Sequence, residues 1–247
     1  MKVRFLAIHP LLGRANKPAP LHLQQRSPYY WWWAYLRRNQ DYLDCCEKSG
    51  EGPLAGLYAD FGDVRSDSFR AWWGGKLQRG AMLFGEDRIP TRLTRLNSKD
   101  DWLDQWEPSE IAVLAVNLTI GKRKLQGYFA NFLRETSQRK QGRPALAKVK
   151  STSKYPLHRN TDQHNLRVML EVYDAWTANL TLPKSQRETM WMIGERLKVV
   201  PSAMPKKGDT PKDRADRQNV MANAVSRYHA RARKIIANTA EGRFPVG

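Results

Sequence analysis

Residues 210–240 read TPKDRADRQNVMANAVSRYHARARKIIANTA, and their spacing predicts one long helix. Thr210 is suited to cap it, Pro211 to its first position, and Asp213 to the reciprocal partner of a capping box. Met221, Val225, Tyr228, Ala232 and Ile235 recur at alternating steps of four and three, so they share one face. Asn219, Asn223, Arg227, Arg231 and Lys234 recur on another, and no acidic residue stands between Asp216 and Glu241. An apolar seam opposed by Asn and Arg suits a helix that enters the major groove. There Arg can pair with guanine and Asn with adenine through two hydrogen bonds each. The same pattern also suits a surface helix whose polar face is merely solvated.

The bulk composition decides between them in favour of nucleic acid. The 247 residues carry a formal charge of +18, which phosphate backbones reward through counterion release. No apolar run reaches the length of a membrane span, so no membrane partner is expected. Nine Trp and 41% hydrophobic residues supply enough apolar surface for a folded core. The two cysteines, Cys45 and Cys46, are adjacent. That spacing suits neither a long-range disulfide nor a zinc site, and it fits a reducing bacterial cytoplasm.

Upstream of the long helix, Leu166, Met169, Leu170, Tyr173 and Trp176 form one face of a helix that starts at Thr161/Asp162. A second helix follows Pro183, entered through a capping box at Ser185–Glu188, with Met190, Ile193 and Leu197 inward. Gly194 allows a close helix approach. Three helices with the last one basic is the plan of a helix-turn-helix domain, predicted over residues 161–247. The connector from Lys198 to Pro211, which carries the candidate DNA contacts Lys206 and Lys207, exceeds the usual tight turn. The plan is therefore either a trihelical unit with an expanded turn or an ordinary helical bundle.

Residues 137–160, SQRKQGRPALAKVKSTSKYPLHRN, read as a basic linker with no acid and little periodicity. Arg139, Lys140, Arg143 and Lys148 are its candidate phosphate contacts. Gly142-Arg143-Pro144 resembles the centre of an AT-hook, where an extended chain lays Arg in a narrow minor groove. Ala145 stands where a second Arg is usual.

The front of the chain is aromatic. Residues 1–26 read as a mobile basic arm after a short strand at Val3–Ile8. Ser27-Pro28 opens a helix through YYWWWAYLRRNQDYLDCCEK, with Trp32, Tyr35, Leu36, Asn39 and Leu43 on one side. Those rings are read as core rather than as a base-stacking platform. Two further helices are expected over Leu54–Val64 and Ser68–Phe84, so residues 27–87 form a Trp-rich module. Residues 111–120, IAVLAVNLTI, give the strongest strand pattern, followed by an amphipathic helix over Lys122–Arg134. The strand and helix close a second segment, 27–136. The expected fold class is mainly α with a small α+β element.

Catalytic motifs are scarce. Asp60-Phe61-Gly62 matches the kinase metal triplet by letter, but no glycine-rich loop or catalytic loop accompanies it. The five histidines are scattered. No nucleotide fingerprint is present, so no cofactor, resident metal or enzyme activity is expected. The rival enzyme reading is a magnesium-dependent nuclease that groups Asp60, Asp63, Asp67 and Glu86. Capping chemistry explains the same aspartates more simply. A further reading is a non-catalytic phage-defence component whose Trp-rich module holds a protein partner.

Trp33-Ala34-Tyr35-Leu36-Arg37-Arg38-Asn39-Gln40-Asp41-Tyr42 resembles the W-x-[FY]-L-R-R-N-x-x-Y signature of the transcriptional-regulator-like N-terminal domain found in proteobacterial mobile-element proteins. The segment Asp60–Val64, the Trp72-Trp73 pair and Ala224–Tyr228 are similar to segments of prophage and integrative-element proteins. The resemblance implies a DNA-associated regulatory role and no catalytic residue. The three consecutive Trp and the Cys45-Cys46 pair depart from that pattern.

Overall fold

The aromatic run from Tyr29 to Leu36 is too apolar to lie on any surface, and the chain folds around it. The structure, a computed structural model, describes residues 5–14, 16–75, 79–86, 112–136, 151–158 and 162–246. Those residues are mainly helical with one small antiparallel sheet, so the fold class is as expected. The hairpin pairs β1 (Gly13–Arg14) with β2 (Lys17–Pro18). Helices α1 (Leu21–Gln24), α2 (Pro28–Leu36), α3 (Gln40–Glu47), α4 (Ala55–Phe61), α5 (Phe69–Gly74) and α6 (Arg79–Phe84) follow. Then come α7 (Lys122–Thr136), α8 (Gln163–Leu180), α9 (Met190–Arg196) and α10 (Pro211–Ala240). The chain divides into two units, one of residues 1–86 with 151–247 and one of residues 87–150.

The first unit has a single core. Every residue of α2 is buried. Trp32 lies 5.2 Å from Phe84 and 5.3 Å from Phe244 between ring centroids, and Trp33 lies 5.4 Å from Phe69. Leu166, Met169 and Leu170 of α8 and Ala232, Ile235 and Ile236 of α10 join the same cluster. This corrects the expected boundary between the front module and the C-terminal helices. Each half buries part of its apolar face against the other.

The long helix expected from Pro28 onward breaks at Arg37–Asn39. Asn39 takes an extended conformation and its Oδ1 accepts the Tyr42 N–H at 2.9 Å, starting α3. Its Nδ2 donates to the Ile236 carbonyl of α10 at 3.0 Å. A side chain that caps one helix and satisfies another's carbonyl outweighs the continuity of the hydrophobic pattern. The neighbouring residues tie the same corner. Tyr35 donates to the Leu166 carbonyl at 2.9 Å, Tyr42 to the Gly62 carbonyl at 2.7 Å, and Arg38 forks onto Asp174 at 2.7 and 3.1 Å. Arg37 lies 4.7 Å over the Trp33 ring and reaches Asp67.

Other expectations change. Residues 5–14 and 16–26 are docked rather than mobile. Phe5 packs against Tyr29 and Trp73, the Trp31 indole donates to the Gln25 carbonyl, and Arg70 donates to the carbonyls of Leu12, Gly13 and Arg14. Residues 5–8 form no strand, and neither do residues 112–120, where Asn117 Oδ1 instead accepts the Thr119 N–H in a turn. A β-branched run becomes a strand only where a neighbour takes its backbone groups, and among the described residues none does. Helix α7 forms as expected. The region 68–84 holds two helices, α5 and α6, in place of one.

Residues 151–158, expected to be linker, instead dock on the core through the half-buried Tyr155 and Leu157. Tyr155 packs 4.8 Å from Phe61, Leu157 bridges Phe244, and the buried Glu86 carboxylate accepts from Ser151 Oγ at 2.6 Å and from the Thr152 N–H at 2.6 Å.

Loss of the Asn39 contacts is the sharpest test of this arrangement. Asn39→Ala should cost about 2–4 kcal/mol in urea unfolding, combining a lost cap with an unpaired buried carbonyl. Asn39→Ser, which keeps the cap and loses the reach to Ile236, should fall between the two.

Candidate nucleic-acid interface

The capping box read from the sequence is formed. Thr210 Oγ1 accepts the Asp213 N–H at 3.2 Å, and Asp213 Oδ2 accepts the Thr210 N–H at 3.0 Å. The Thr210 hydroxyl, donating to Asp213 Oδ2 at 2.6 Å, and then the Thr210 N–H hold the Asp213 carboxyl below its usual range. At the far end Gly242, in the left-handed region at φ 68°, lets the chain turn back so that Arg243 N–H reaches the Asn238 carbonyl. Between these stops α10 runs 30 residues, or about 45 Å.

Its inner face is spent on packing. Met221, Ala224, Val225, Ala232, Ile235 and Ile236 are buried, and Tyr228 is half-buried. Helix α9 approaches closely at Gly194, where an added Cβ would stand 2.4 Å from Met221 Cγ and 2.9 Å from Val225 Cγ2. The expected capping box at Ser185–Glu188 does not form. Asn179 holds the Glu188 backbone through both its N–H and its carbonyl, and the Glu188 carboxylate pairs with Arg196 at 2.6 Å. That pairing holds the carboxyl below its ordinary range. Helices α8, α9 and α10 pack on one another, and the α9–α10 connector contains a 3₁₀ turn at Pro201–Ala203.

The outer face is free. Asn219, Asn223, Arg227, Arg231 and Lys234 are all exposed. Among the described residues none of them joins an ion pair, and none is held by a carboxylate. Arg233, on the flank of the same surface, is exposed and equally unpaired. It falls outside the three-and-four spacing that singled out the others, which is why sequence periodicity passes over it. Lys206 and Lys207 are exposed in the connector. Arg139, Lys140, Arg143 and Lys148 lie outside the described residues.

The carboxylates of the nuclease reading do not gather. Asp60 accepts from Lys154 Nζ at 2.6 Å and from the Tyr155 hydroxyl at 2.5 Å. Asp63 pairs with Arg65 at 2.7 Å, and that hydrogen bond lowers its carboxyl below the usual range. Asp67 meets Arg37, and Glu86 holds residues 151–153. Among the described residues no group of three His, Cys, Asp or Glu side chains is placed to hold a metal ion. The rings of Trp31, Trp32, Trp33, Trp72 and Trp73 are buried, so they offer no stacking platform. No helix among the described residues is long and apolar enough to cross a membrane. No protein-family profile matches the chain, and no curated protein or solved structure shows significant similarity to it.

His229 reports how the helix is seated. It lies against Tyr173 at 5.8 Å and Trp176 at 6.0 Å, and burial together with Arg233 pushes its pKa below the ordinary value of 6.5. The folded protein thus holds His229 neutral where the unfolded chain takes up a proton. Its contribution to stability is complete above about pH 6.5 and is lost as the pH falls below it. His229→Phe should flatten that part of the stability–pH curve, measured by thermal unfolding from about pH 7.5 to 5.

Proposed function

We propose that this protein binds duplex DNA through the outer face of α10, as a cytoplasmic regulator carried by a mobile element or prophage. The observation that carries the reading is the division of one rigid helix. Its apolar side is committed to the core, while Asn219, Asn223, Arg227, Arg231 and Lys234 stand exposed and uncompensated. Charge of this kind on a fixed backbone engages phosphates without first breaking internal pairs. The two asparagines, lying N-terminal to the cations on that face, are suited to base edges. The three-helix arrangement with an expanded turn supports the reading, and so does the resemblance of residues 33–42 to the regulator-like signature. Arg139, Lys140, Arg143 and Lys148 extend the contact along the backbone or the adjacent minor groove.

A salt-dependent anisotropy titration with duplex DNA, single-stranded DNA and RNA tests this. Duplex DNA should bind most tightly, with affinity falling steeply as salt rises. Arg227→Ala/Arg231→Ala/Lys234→Ala should lower the slope of log K against log salt by about 2–3. Asn223→Ala should cost about 1–3 kcal/mol on a selected site and little on random duplex. A salt-independent complex with another protein, and no duplex binding, would replace this reading with the partner-protein one.

A further inference from the structure

The two lysines ahead of α10 stand on a turn that is built with unusual care for an exposed loop. The Asp209 N–H donates to the Lys206 carbonyl at 3.2 Å, and the Lys206 N–H donates back to Asp209 Oδ2 at 2.7 Å. Gly208, at φ 95°, occupies the left-handed conformation that closes such a turn. The Asp209 side chain is 8% exposed, and Arg217 of α10 lies over it with Nε 3.1 Å from Oδ2. That N–H is not aligned on the oxygen, so the contact is an ion pair rather than a hydrogen bond. Arg217 Nη1 also donates to the Ser202 carbonyl at 2.8 Å, which ties the 3₁₀ turn to the same anchor.

Two consequences follow from this pairing. The only carboxylate within the turn is paired with Arg217 and forms no ion pair with either lysine. Lys206 and Lys207 themselves are exposed and enter no ion pair among the described residues. The turn is also fixed relative to α10, which places two cations at one end of a rod carrying Arg227, Arg231 and Lys234 toward the other. From Pro211 to Arg227 and Lys234 the helix rises about 24 and 35 Å. One turn of B-DNA spans about 34 Å.

We infer that Asp209 and Arg217 are positioning residues that hold Lys206 and Lys207 as a second phosphate contact, so that the protein grips duplex DNA at two places about one helical turn apart. The inference rests on the duplex-binding reading and adds to it a minimum length of duplex. Because a prearranged contact loses less freedom on binding, its value depends on the turn being held.

The test compares full-length protein on duplexes of about 5 base pairs, closed as a hairpin, and about 16 base pairs, which span about 17 and 54 Å and so reach one contact or both. Lys206→Ala/Lys207→Ala should weaken the longer duplex several-fold, lower its salt slope by about 2, and change the shorter duplex much less. Asp209→Ala is the discriminating variant. It removes a negative charge, so charge counting alone gives tighter binding, whereas a held turn gives weaker binding to the longer duplex and a slope near that of the lysine variant. Far-UV circular dichroism establishes that Asp209→Ala is folded; if it is not, the length dependence of the lysine variant decides. Failure of the parent to bind either duplex would overturn the function proposed above. Parent binding with Asp209→Ala equal or tighter, or with the lysine variant unchanged, would overturn the two-point grip alone.

Discussion

The fold depends on the two hydrogen bonds of Asn39. One starts α3 and the other holds the carbonyl of Ile236 near the end of α10. Through this side chain a local event, the end of one helix and the start of another, becomes a long-range constraint on where α10 runs. Around it Tyr35, Arg38 and Tyr42 each reach a different segment: α8 through Leu166, α8 again through Asp174, and the end of α4 through Gly62. The residues that resemble a regulator-family signature are thus occupied with holding the molecule together. In this chain those positions set the frame.

That frame explains the character of α10. A helix of this length with so little apolar surface would be marginal alone, since most helical stability comes from packing. Here α2, α8 and α9 cover its inner face. Among the described residues, the Arg and Lys side chains of its outer face form no ion pair. Charges that repel one another along a rod lower stability, and they persist here because the aromatic core carries that cost. The contrast with Asp60, Asp63 and Asp67 is instructive. Each of those carboxylates pairs with a cation of the fold, Asp60 with Lys154, Asp63 with Arg65 and Asp67 with Arg37.

Much of this was legible in the sequence where signals were local and periodic. The limits of α10 follow from Thr210, Pro211 and Asp213, and its seam from the spacing of Met221 to Ile235; α8 follows from the same logic. The misses occur where a distant group competes with a local pattern. The apolar rhythm of residues 28–47 passes straight through Asn39, because nothing nearby reveals the Ile236 carbonyl that claims it. Ser185–Glu188 has the letters of a capping box, but Arg196 takes the glutamate and Asn179 the backbone. Residues 151–158 look polar and basic, and only Tyr155 and Leu157 betray that the segment docks on the core. The exposure of the basic face was likewise an inference from periodicity. The ion pair that braces Lys206 and Lys207 had no sequence signal at all.

Phe244 closes the aromatic cluster between Trp32 and Tyr35, at almost the opposite end of the chain from the rings it covers. Leu157 and His158 join it there through backbone contacts. The pocket of this aromatic segment therefore stays incomplete until residues far downstream in the chain are in place. Contacts so far apart in sequence slow folding and prolong the life of sticky intermediates.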